Sequence, residues 1–315
     1  MQSYLKKINT LFMALIAVFA LTSQAWAEFP DRRIQIINPW APGDSEDIVM
    51  RKAAEHMAKE LGVPVKVINR PGGGGIVGGT VMINSRPDGY TLGILTQGPA
   101  ITHPLMGNSP YTMEDYDPIG LYLDYPFALA VRADAPYNTV KELADYVKQG
   151  NQVTLGTFAK MSVPSLVSNM IAEQEGFDFA RIVALDPVNT LVLANGDADI
   201  VTIPESNSVK QDSDTKALIT LTNERVSPLP NTPNMKEAYN LDVTLWAGLF
   251  APKGTPADAM AKLTTAFENA LKQPDIAEFS QSSGAKVYFM GAQETQARIA
   301  KEAKLFKSMI DKLAQ

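Results

Sequence analysis

Short apolar runs and longer stretches with apolar residues at helical spacing alternate along the chain. Residues 33–38 (RIQIIN) predict a buried strand, and residues 46–61 carry apolar side chains at helical spacing until Gly62 ends the pattern. A second such pair follows, with a strand over 63–68 and a helix over 76–84. Short loops between alternating strands and helices favour a parallel sheet covered by helices on both faces.

The same alternation continues to the C-terminal end. Further strands are predicted over residues 90–95, 153–157, 181–185, 199–203 and 216–221. Further helices are predicted over residues 139–149, 163–175, 190–195, 256–273 and 293–313. Two more apolar extended segments, 126–131 and 244–251, suit crossovers between two lobes of one α/β protein.

The N-terminus has the three parts of a secretory signal peptide. Lys6 and Lys7 supply the positive start, an apolar run over 11–21 follows, and an Ala-Trp-Ala motif ends at Ala27. The run is about half as long as the roughly twenty residues of a membrane span, although a short membrane anchor is the alternative. We expect cleavage of residues 1–27 and export of the remainder.

Composition narrows the class of protein further. The 315 residues include no cysteine, so disulfides do not contribute to stability, and a chain of this length can bury a core without them. The net charge is −6, and it becomes −8 when the two positive charges of Lys6 and Lys7 are removed. This acidic balance argues against nucleic acid as a partner, which requires a clustered basic face, but it leaves a small-anion site open.

A glycine-rich segment, NRPGGGGIVGG over residues 69–79, raises the question of a nucleotide site. A phosphate loop requires Gly-Lys-Ser/Thr after the glycines, and the next lysine is Lys141. A dinucleotide fingerprint requires an acidic residue after a second strand, whereas Asp88 lies in a Pro-Asp-Gly turn before that strand. We interpret the segment as a tight strand-to-helix connection whose glycines permit positive φ.

Enzyme and metal chemistry have little support in the sequence. The only histidines are His56 and His103, and no metal-ligand spacing occurs. No Gly-x-Ser-x-Gly motif is present. We therefore expect no metal, no cofactor and no enzymatic activity, with a secreted enzyme kept as an alternative. An exported two-lobed chain instead suits a solute receptor, and the loops 41–45 and 157–162, each before a predicted helix, are candidate carboxylate sites.

Seven sequence motifs occur in the order found in one receptor family. They lie at residues 29–34 (FPDRRI), 41–47 (APGDSED), 69–72 (NRPG), 87–92 (PDGYTL), 143–156, 227–233 (SPLPNTP) and 246–256 (WAGLFAPKGTP). On these motifs the chain, from about residue 29 to 315, resembles the periplasmic solute receptors of tripartite tricarboxylate transporters, also called Bug receptors.

The resemblance implies an α/β, two-lobed periplasmic-binding-protein fold, type II-like, with two crossing strands as its hinge. Lobe 1 would comprise residues 28–126 and 248–315, and lobe 2 would comprise residues 127–247. The implied protein is a periplasmic monomer that captures a small carboxylate, such as a dicarboxylate, a tricarboxylate, an acidic amino acid or an aromatic acid. It would deliver this ligand to the permease subunits of the transporter, and a ligand sensor for a signalling receptor is the alternative role.

The resemblance also implies candidate ligand-binding residues in both lobes. Backbone amides of the first loop would hold one carboxylate, partly through water. The lobe 1 candidates are Pro42, Gly43, Asp44, Ser45, Asp47 and Gln97. The lobe 2 candidates are Thr157, Phe158, Ala159, Lys160, Ser162 and Asp186. Asp47 lies in the first turn of its helix, where its charge favours the helix dipole whether or not it contacts the ligand.

Three positions depart from the family pattern. Asp44 replaces a glycine, the strand end usually reading Pro-Tyr-Lys-Gly-Gly is VALDP over 183–187 with an acid at Asp186, and the loop 156–162 (GTFAKMS) is bulkier and contains Lys160. In one interpretation, Lys160 pairs with the anion and both acids face away. In the other, the acids line the cleft, repel a di- or trianion and favour a cationic or zwitterionic ligand.

Overall fold

The computed structural model of the protein describes residues 28–185, 188–204 and 214–313. The predicted signal peptide over 1–27 and the candidate Asp186 lie outside the described residues. Within the described ranges, no helix is both long enough and apolar enough to cross a membrane. The chain forms two sheets with helices packed against them.

The first sheet contains six strands. These are β1 (Ile34–Asn38), β2 (Val65–Asn69), β3 (Thr91–Thr96), β4 (Tyr116–Asp124), β10 (Trp246–Pro252) and β11 (Lys286–Gly291), in the spatial order β11–β4–β10–β3–β1–β2. Strand β1 is parallel to both β2 and β3, as the alternation of strands and helices predicts. The sheet is parallel only in this part, because β10 is antiparallel to β3 and β4, and β11 is antiparallel to β4.

The second sheet contains five strands. These are β5 (Phe127–Arg132), β6 (Thr154–Thr157), β7 (Arg181–Ala184), β8 (Ile200–Pro204) and β9 (Thr215–Thr220), in the spatial order β7–β6–β8–β5–β9. Strand β6 is parallel to β7 and β8, whereas β5 is antiparallel to β8 and β9. Both sheets are therefore mixed, with a parallel part that carries the strand-to-helix loops.

The predicted helices occur with their ends shifted by a few residues. The described helices are α1 (Ser45–Leu61), α2 (Ile76–Ile83), α3 (His103–Leu105), α4 (Val140–Lys148), α5 (Val163–Glu175), α6 (Thr190–Ala194), α7 (Met235–Tyr239), α8 (Ala257–Leu271), α9 (Pro274–Ser283) and α10 (Ala292–Leu313). Helices α3, α7 and α9 are not predicted by the periodicity, and neither is the π-helical turn Gly98–Thr102 that precedes α3.

The chain passes between the two sheets twice. It leaves the first sheet at Asp124, the end of β4, and enters the second at Phe127 in β5. It leaves the second sheet after β9 and re-enters the first at Trp246 in β10. The long helix α10 packs against both β4 and α5, so that it contacts both lobes beside these crossings.

Strand β4 lies inside the first sheet, yet the sequence pattern does not predict it. Its sequence YDPIGLYLD contains Pro118 and Gly120, which usually weaken a strand assignment. Pro118 pairs with Phe250 next to a register shift between β4 and β10, and a bulge of this kind tolerates proline. The side chains of Ile119 and Leu121 are completely buried.

Two of the three hydrophobic clusters among the described residues hold the sheets and the hinge region together. The first lies beneath α1 and α8 on one face of the first sheet and includes Met57 and Phe267. The second continues from the other face of that sheet into the second sheet and includes Trp246, Phe127 and Leu155. Because the second cluster runs past both crossings, packing supports the hinge region as well as each lobe.

The glycine-rich segment forms the connection from β2 to α2. Gly72, Gly73, Gly74 and Gly75 have φ values of 133°, 58°, 63° and 95°. Residues with side chains rarely adopt this left-handed region. The interpretation of the segment as a tight connection with positive φ is confirmed.

Candidate functional site

The loop between β1 and α1 is fixed by the buried carboxylate of Asp47. This group accepts hydrogen bonds from the Gly43 backbone N–H (3.0 Å), Asn69 Nδ2 (2.8 Å), Asn38 Nδ2 (3.2 Å) and Arg51 Nε (2.8 Å). Burial alone would raise the pKa of Asp47, but the hydrogen bonds outweigh burial and lower this pKa to about 2. Because the Gly43 N–H donates to Asp47, these two candidates are engaged with each other.

The candidate Asp44 lies at the N-cap position of α1, and its side chain makes no capping hydrogen bond. It is exposed, as is Pro42, while Ser45 is half-buried. The Asp44 carboxylate accepts the Ala41 backbone N–H. Partial desolvation and then the charge of Asp47 raise the pKa of Asp44, and no described cation forms an ion pair with this acid.

Glu46, a buried acid in the first turn of α1, was not among the candidates predicted from the sequence. Only 7% of its surface is exposed. Its carboxyl accepts hydrogen bonds from its own backbone N–H and from the Tyr125 hydroxyl, while Tyr122 Oη donates to the Glu46 carbonyl oxygen at 3.2 Å. Desolvation, reinforced by the charge of Asp44, raises the pKa of Glu46 to about 7. The sequence signal that could have identified Glu46 is its position between Asp44 and Asp47 in the motif 41–47.

An aromatic floor, formed by Tyr125, Phe127 and Phe158, connects the two candidate loops. The ring centroids of Tyr125 and Phe127 are 5.8 Å apart, and those of Phe127 and Phe158 are 6.1 Å apart. Phe158 belongs to the loop 157–162 and keeps 39% of its surface exposed. Since Tyr125 also bonds Glu46, the loop before α1 and the loop 157–162 both contact the same floor.

Hydroxyl groups fix the loop 157–162. Thr157 Oγ1 and Ser162 Oγ share a hydrogen bond of 3.1 Å, and Thr202 Oγ1 donates to Thr157 Oγ1 at 3.0 Å. The Ser162 N–H donates to the Ala159 carbonyl oxygen at 3.0 Å, which closes the turn before α5. Lys160 is exposed at the tip and forms no ion pair with any residue that the structure describes.

The candidate Gln97 is buried, and its amide is fully engaged behind the floor. Its Nε2 donates to the Thr244 carbonyl oxygen at 2.8 Å and to Glu302 Oε2 at 3.0 Å. Its Oε1 accepts the Trp246 backbone N–H at 3.3 Å. These contacts make Gln97 a link between β3, the second crossing and α10.

A polar network extends from Gln97 along the back of the hinge. Glu302 accepts Trp246 Nε1 at 2.8 Å and Arg298 Nε at 2.9 Å. Arg298 also lies 3.6 Å from Asp124 and donates to Thr244 Oγ1 at 2.6 Å. Thr244 Oγ1 in turn donates to Asp124 Oδ2 at 2.8 Å. The network therefore ties both crossings to α10.

A cavity of about 370 Å³ adjoins this network. Arg298 and Lys301 in its lining pair with Asp124, Glu302 and Asp242 from the same lining. In the described ranges, no group of three or more acidic or histidine side chains is arranged to hold a metal ion. Asp44, Glu46 and Lys160 form no ion pair with any described residue, which distinguishes the two candidate loops from this cavity.

Two sheets joined by two crossings, with one loop from each lobe against a shared floor, define a two-lobed solute-binding protein. The profile of the Tripartite tricarboxylate transporter family receptor matches residues 49–314. A UPF0065 protein of Bordetella pertussis is 31% identical over 281 residues, which cover 86% of this chain and 87% of that protein. The chain therefore belongs to the tripartite tricarboxylate transporter receptor family and is a periplasmic solute-binding protein.

Solved structures agree with this assignment. The periplasmic binding protein BugD is 28% identical with a TM-score of 0.74, and the alignment covers 90% of this chain and 98% of that chain. The protein MatC of Rhodopseudomonas palustris, solved with bound malate, is 26% identical with a TM-score of 0.76, and the alignment covers 90% of this chain and 100% of that chain. The two-lobed α/β fold expected from the sequence is confirmed.

Proposed function

We propose that the protein captures a small organic carboxylate between its lobes and delivers it to the permease of a tripartite tricarboxylate transporter. The observation that supports this proposal is the aromatic floor, because Phe158 of the loop 157–162 and Tyr125, which bonds Glu46, both belong to it. Each loop leads into a helix of 13 or more residues. Helix N-termini favour bound anions through their dipoles and free N–H groups. The malate bound to MatC supports the same ligand class.

Lys160 supplies the positive charge in this proposal. Closure of the lobes about the crossings would bring Lys160 towards a carboxylate held at the α1 loop. The lobes would comprise residues 28–126 with 248–315, and residues 127–247. The ligand would leave chemically unchanged, since the family consists of solute receptors.

A thermal-shift panel of malate, succinate, citrate, glutamate and benzoate tests the proposal. A carboxylate at 100 times its Kd should add about 2.7 kcal/mol to the free energy of unfolding. Lys160→Met should weaken that carboxylate roughly tenfold, the effect of losing one charge-assisted contact. Lys141→Met is the matched control, because Lys141 is exposed in the same lobe at the start of α4. A panel in which no carboxylate raises the transition would refute the proposal.

A zwitterionic or cationic ligand is a second candidate. The observation that favours it is the pair Asp44 and Glu46, which has no cationic partner among the described residues. A ligand ammonium group would balance these charges. Thermal shifts with aspartate, succinate and putrescine would separate the candidate ligand classes. Stabilisation by putrescine alone would favour a cationic ligand.

A further inference from the structure

Glu46 occupies an unusual position for a carboxyl group. It is the second residue of α1, with 7% of its surface exposed, and lies where the proposed function requires the loop to receive a ligand carboxylate. Its own backbone N–H, one of the donors at this helix end, already bonds its carboxyl. An anionic ligand at this helix end would therefore meet a resident acid.

The groups around Glu46 do not neutralise it. Asp44 faces it from the loop and Asp47 from the helix, and both are acids. Tyr122 of β4 and Tyr125 of the first crossing face it, and burial raises the pKa of each far above its usual value, so both hydroxyls remain neutral. Among the described residues no cation pairs with Glu46.

Arg51, the first cation along the same helix, is engaged with other groups. Arg51 donates to both oxygens of Asp47, at 2.8 and 2.9 Å, and to Asn69 Oδ1 at 2.6 Å. Its side chain is 45% exposed, on the side of the helix that carries Asp47. Among the described residues this leaves Lys160 to balance a second anion beside Glu46, and otherwise a cationic group of the ligand or a proton has to do so.

We infer that Glu46 takes up a proton when the protein binds an anionic carboxylate, so that ligand and proton are captured together. Two carboxylates at one partly desolvated site cannot both remain ionised without a large cost, and one of them holds a proton instead. Neutral Glu46 also gains an O–H that can donate to the ligand carboxylate. The inference rests on the proposed function and adds the protonation state in which the site binds.

The sign of the pH dependence follows from the free protein. Burial places the pKa of Glu46 at about 7 before binding, and a bound anion raises it further. Below this pKa the acid is already neutral, so affinity is nearly independent of pH. Above it, binding requires proton uptake, and the Kd rises by up to about tenfold per pH unit.

Isothermal titration calorimetry with malate, or with the panel carboxylate of largest thermal shift if malate gives none, tests the inference. Titrations at pH 6.5, 7.5 and 8.5 should show the Kd rising with pH. At pH 7.5, two buffers of different ionisation heat should report uptake of roughly half to one proton per ligand. Glu46→Gln keeps the size and the hydrogen-bond acceptor, and should abolish the uptake and bind on the order of tenfold tighter than wild type at pH 8.5.

Two matched variants sharpen the result. Glu55→Gln removes the same charge from the exposed face of α1 and should keep the wild-type uptake and pH slope. Asp44→Asn should keep the uptake as well. Binding without proton uptake, or equal uptake by wild type and Glu46→Gln, would overturn the inference while leaving the proposed function intact. If no carboxylate of the panel binds, the proposed function and the inference both fail.

Discussion

Acidic side chains lie on both sides of the hinge, but their surroundings differ. At the back, Glu302 lies 2.9 Å from Arg298, and Asp124 lies 3.6 Å from the same guanidinium. On the side of the proposed cleft, Asp44 and Glu46 have no cation among the described residues, and desolvation raises the pKa of both. Acids paired with a cation fix geometry, whereas acids without a cation leave an electrostatic cost that a ligand or a proton can relieve.

Asp47 shows that position in the sequence does not decide whether an acid is paired with a cation. It lies beside Glu46 in the chain, yet it resembles the acids at the back of the hinge. Arg51, two asparagines and the Gly43 N–H all donate to its carboxylate. We therefore expect Asp47 to act on ligand binding through the shape of the loop.

The largest loss of stability is expected from substitution of Glu302, at the back of the hinge. Glu302→Ala leaves Trp246 Nε1, Gln97 Nε2 and the Arg298 guanidinium without their shared acceptor. Breaking a buried charged network in this way costs about 3 kcal/mol of the free energy of unfolding, which urea titration measures. Glu294→Ala, on the exposed side of the first turn of α10, should cost less than about 1 kcal/mol.

Equal free energies of unfolding for Glu302→Ala and Glu294→Ala would contradict this difference between the two sides. The ion pair of Glu302 with Arg298 would then contribute no stability at the back of the hinge. Glu302→Gln refines the test. It keeps an acceptor for the indole N–H but loses the ion pair with Arg298, so its loss should lie between the two alanine variants.

The second largest effect is expected in the pH dependence of the free energy of unfolding, to which Asp47 contributes. Its pKa of about 2 in the folded protein lies below the roughly 3.9 of an unfolded chain. The contribution is therefore present above pH 4 and is lost as pH falls towards 2, amounting to about 2 kcal/mol. Urea titrations of wild type and Asp47→Asn at pH 5 and pH 3 should show the larger pH-dependent loss in wild type.

Asp258→Asn is the control for this measurement, since Asp258 is an exposed acid in the first turn of α8. It should lose stability on acidification to the same extent as wild type. If Asp47→Asn also follows wild type, the hydrogen bonds to Asp47 do not act as a charged network, and Asp47 belongs with the unpartnered acids of the cleft.

Local patterns were sufficient to predict much of the fold around the site. The strand-to-helix units β1–α1 and β6–α5 follow from short apolar runs, helical spacing and the residues that end them, so both loops could be located from the sequence. The family resemblance added the two lobes. Neither source predicted β4, because Pro118 and Gly120 interrupt its pattern.

Because β4 was not predicted from the sequence, the role of Glu46 was not predicted either. Strand β4 leads directly to Tyr125, whose hydroxyl bonds Glu46 and whose ring begins the aromatic floor. Without β4, the sequence could not show that Glu46 turns towards the crossing, that Asp47 turns towards Asn69, or that Asp44 stays exposed. Three acids within four positions thus have three environments, set by contacts distant in sequence. The candidate Asp186 lies outside the described residues, and its role in the cleft stays a prediction.

The smallest effect is expected where charges are paired but exposed. Three ion pairs join lysines near the C-terminal end to acids of the segment between β5 and β10: Lys286–Glu224 (2.9 Å), Lys301–Asp242 (3.4 Å) and Lys312–Glu173 (2.8 Å). Every side chain in these pairs is more than half exposed, so each pair contributes less than about 1 kcal/mol and is screened by salt.

Lys301→Met should therefore lower the free energy of unfolding by a few tenths of a kcal/mol at low salt, and by less in 1 M NaCl. Lys307→Met is the control, since Lys307 pairs with Asp311 within α10 and does not join the lobes. Urea titrations at both salt concentrations measure the difference. A loss at Lys301 as large as that of Glu302→Ala would mean that pairing across the lobes, and not burial of the pair, stabilises the back of the hinge. Exposed and buried ion pairs would then contribute equally to the free energy of unfolding. The difference between the two sides of the hinge would depend on the positions of the charges between the lobes and not on their burial.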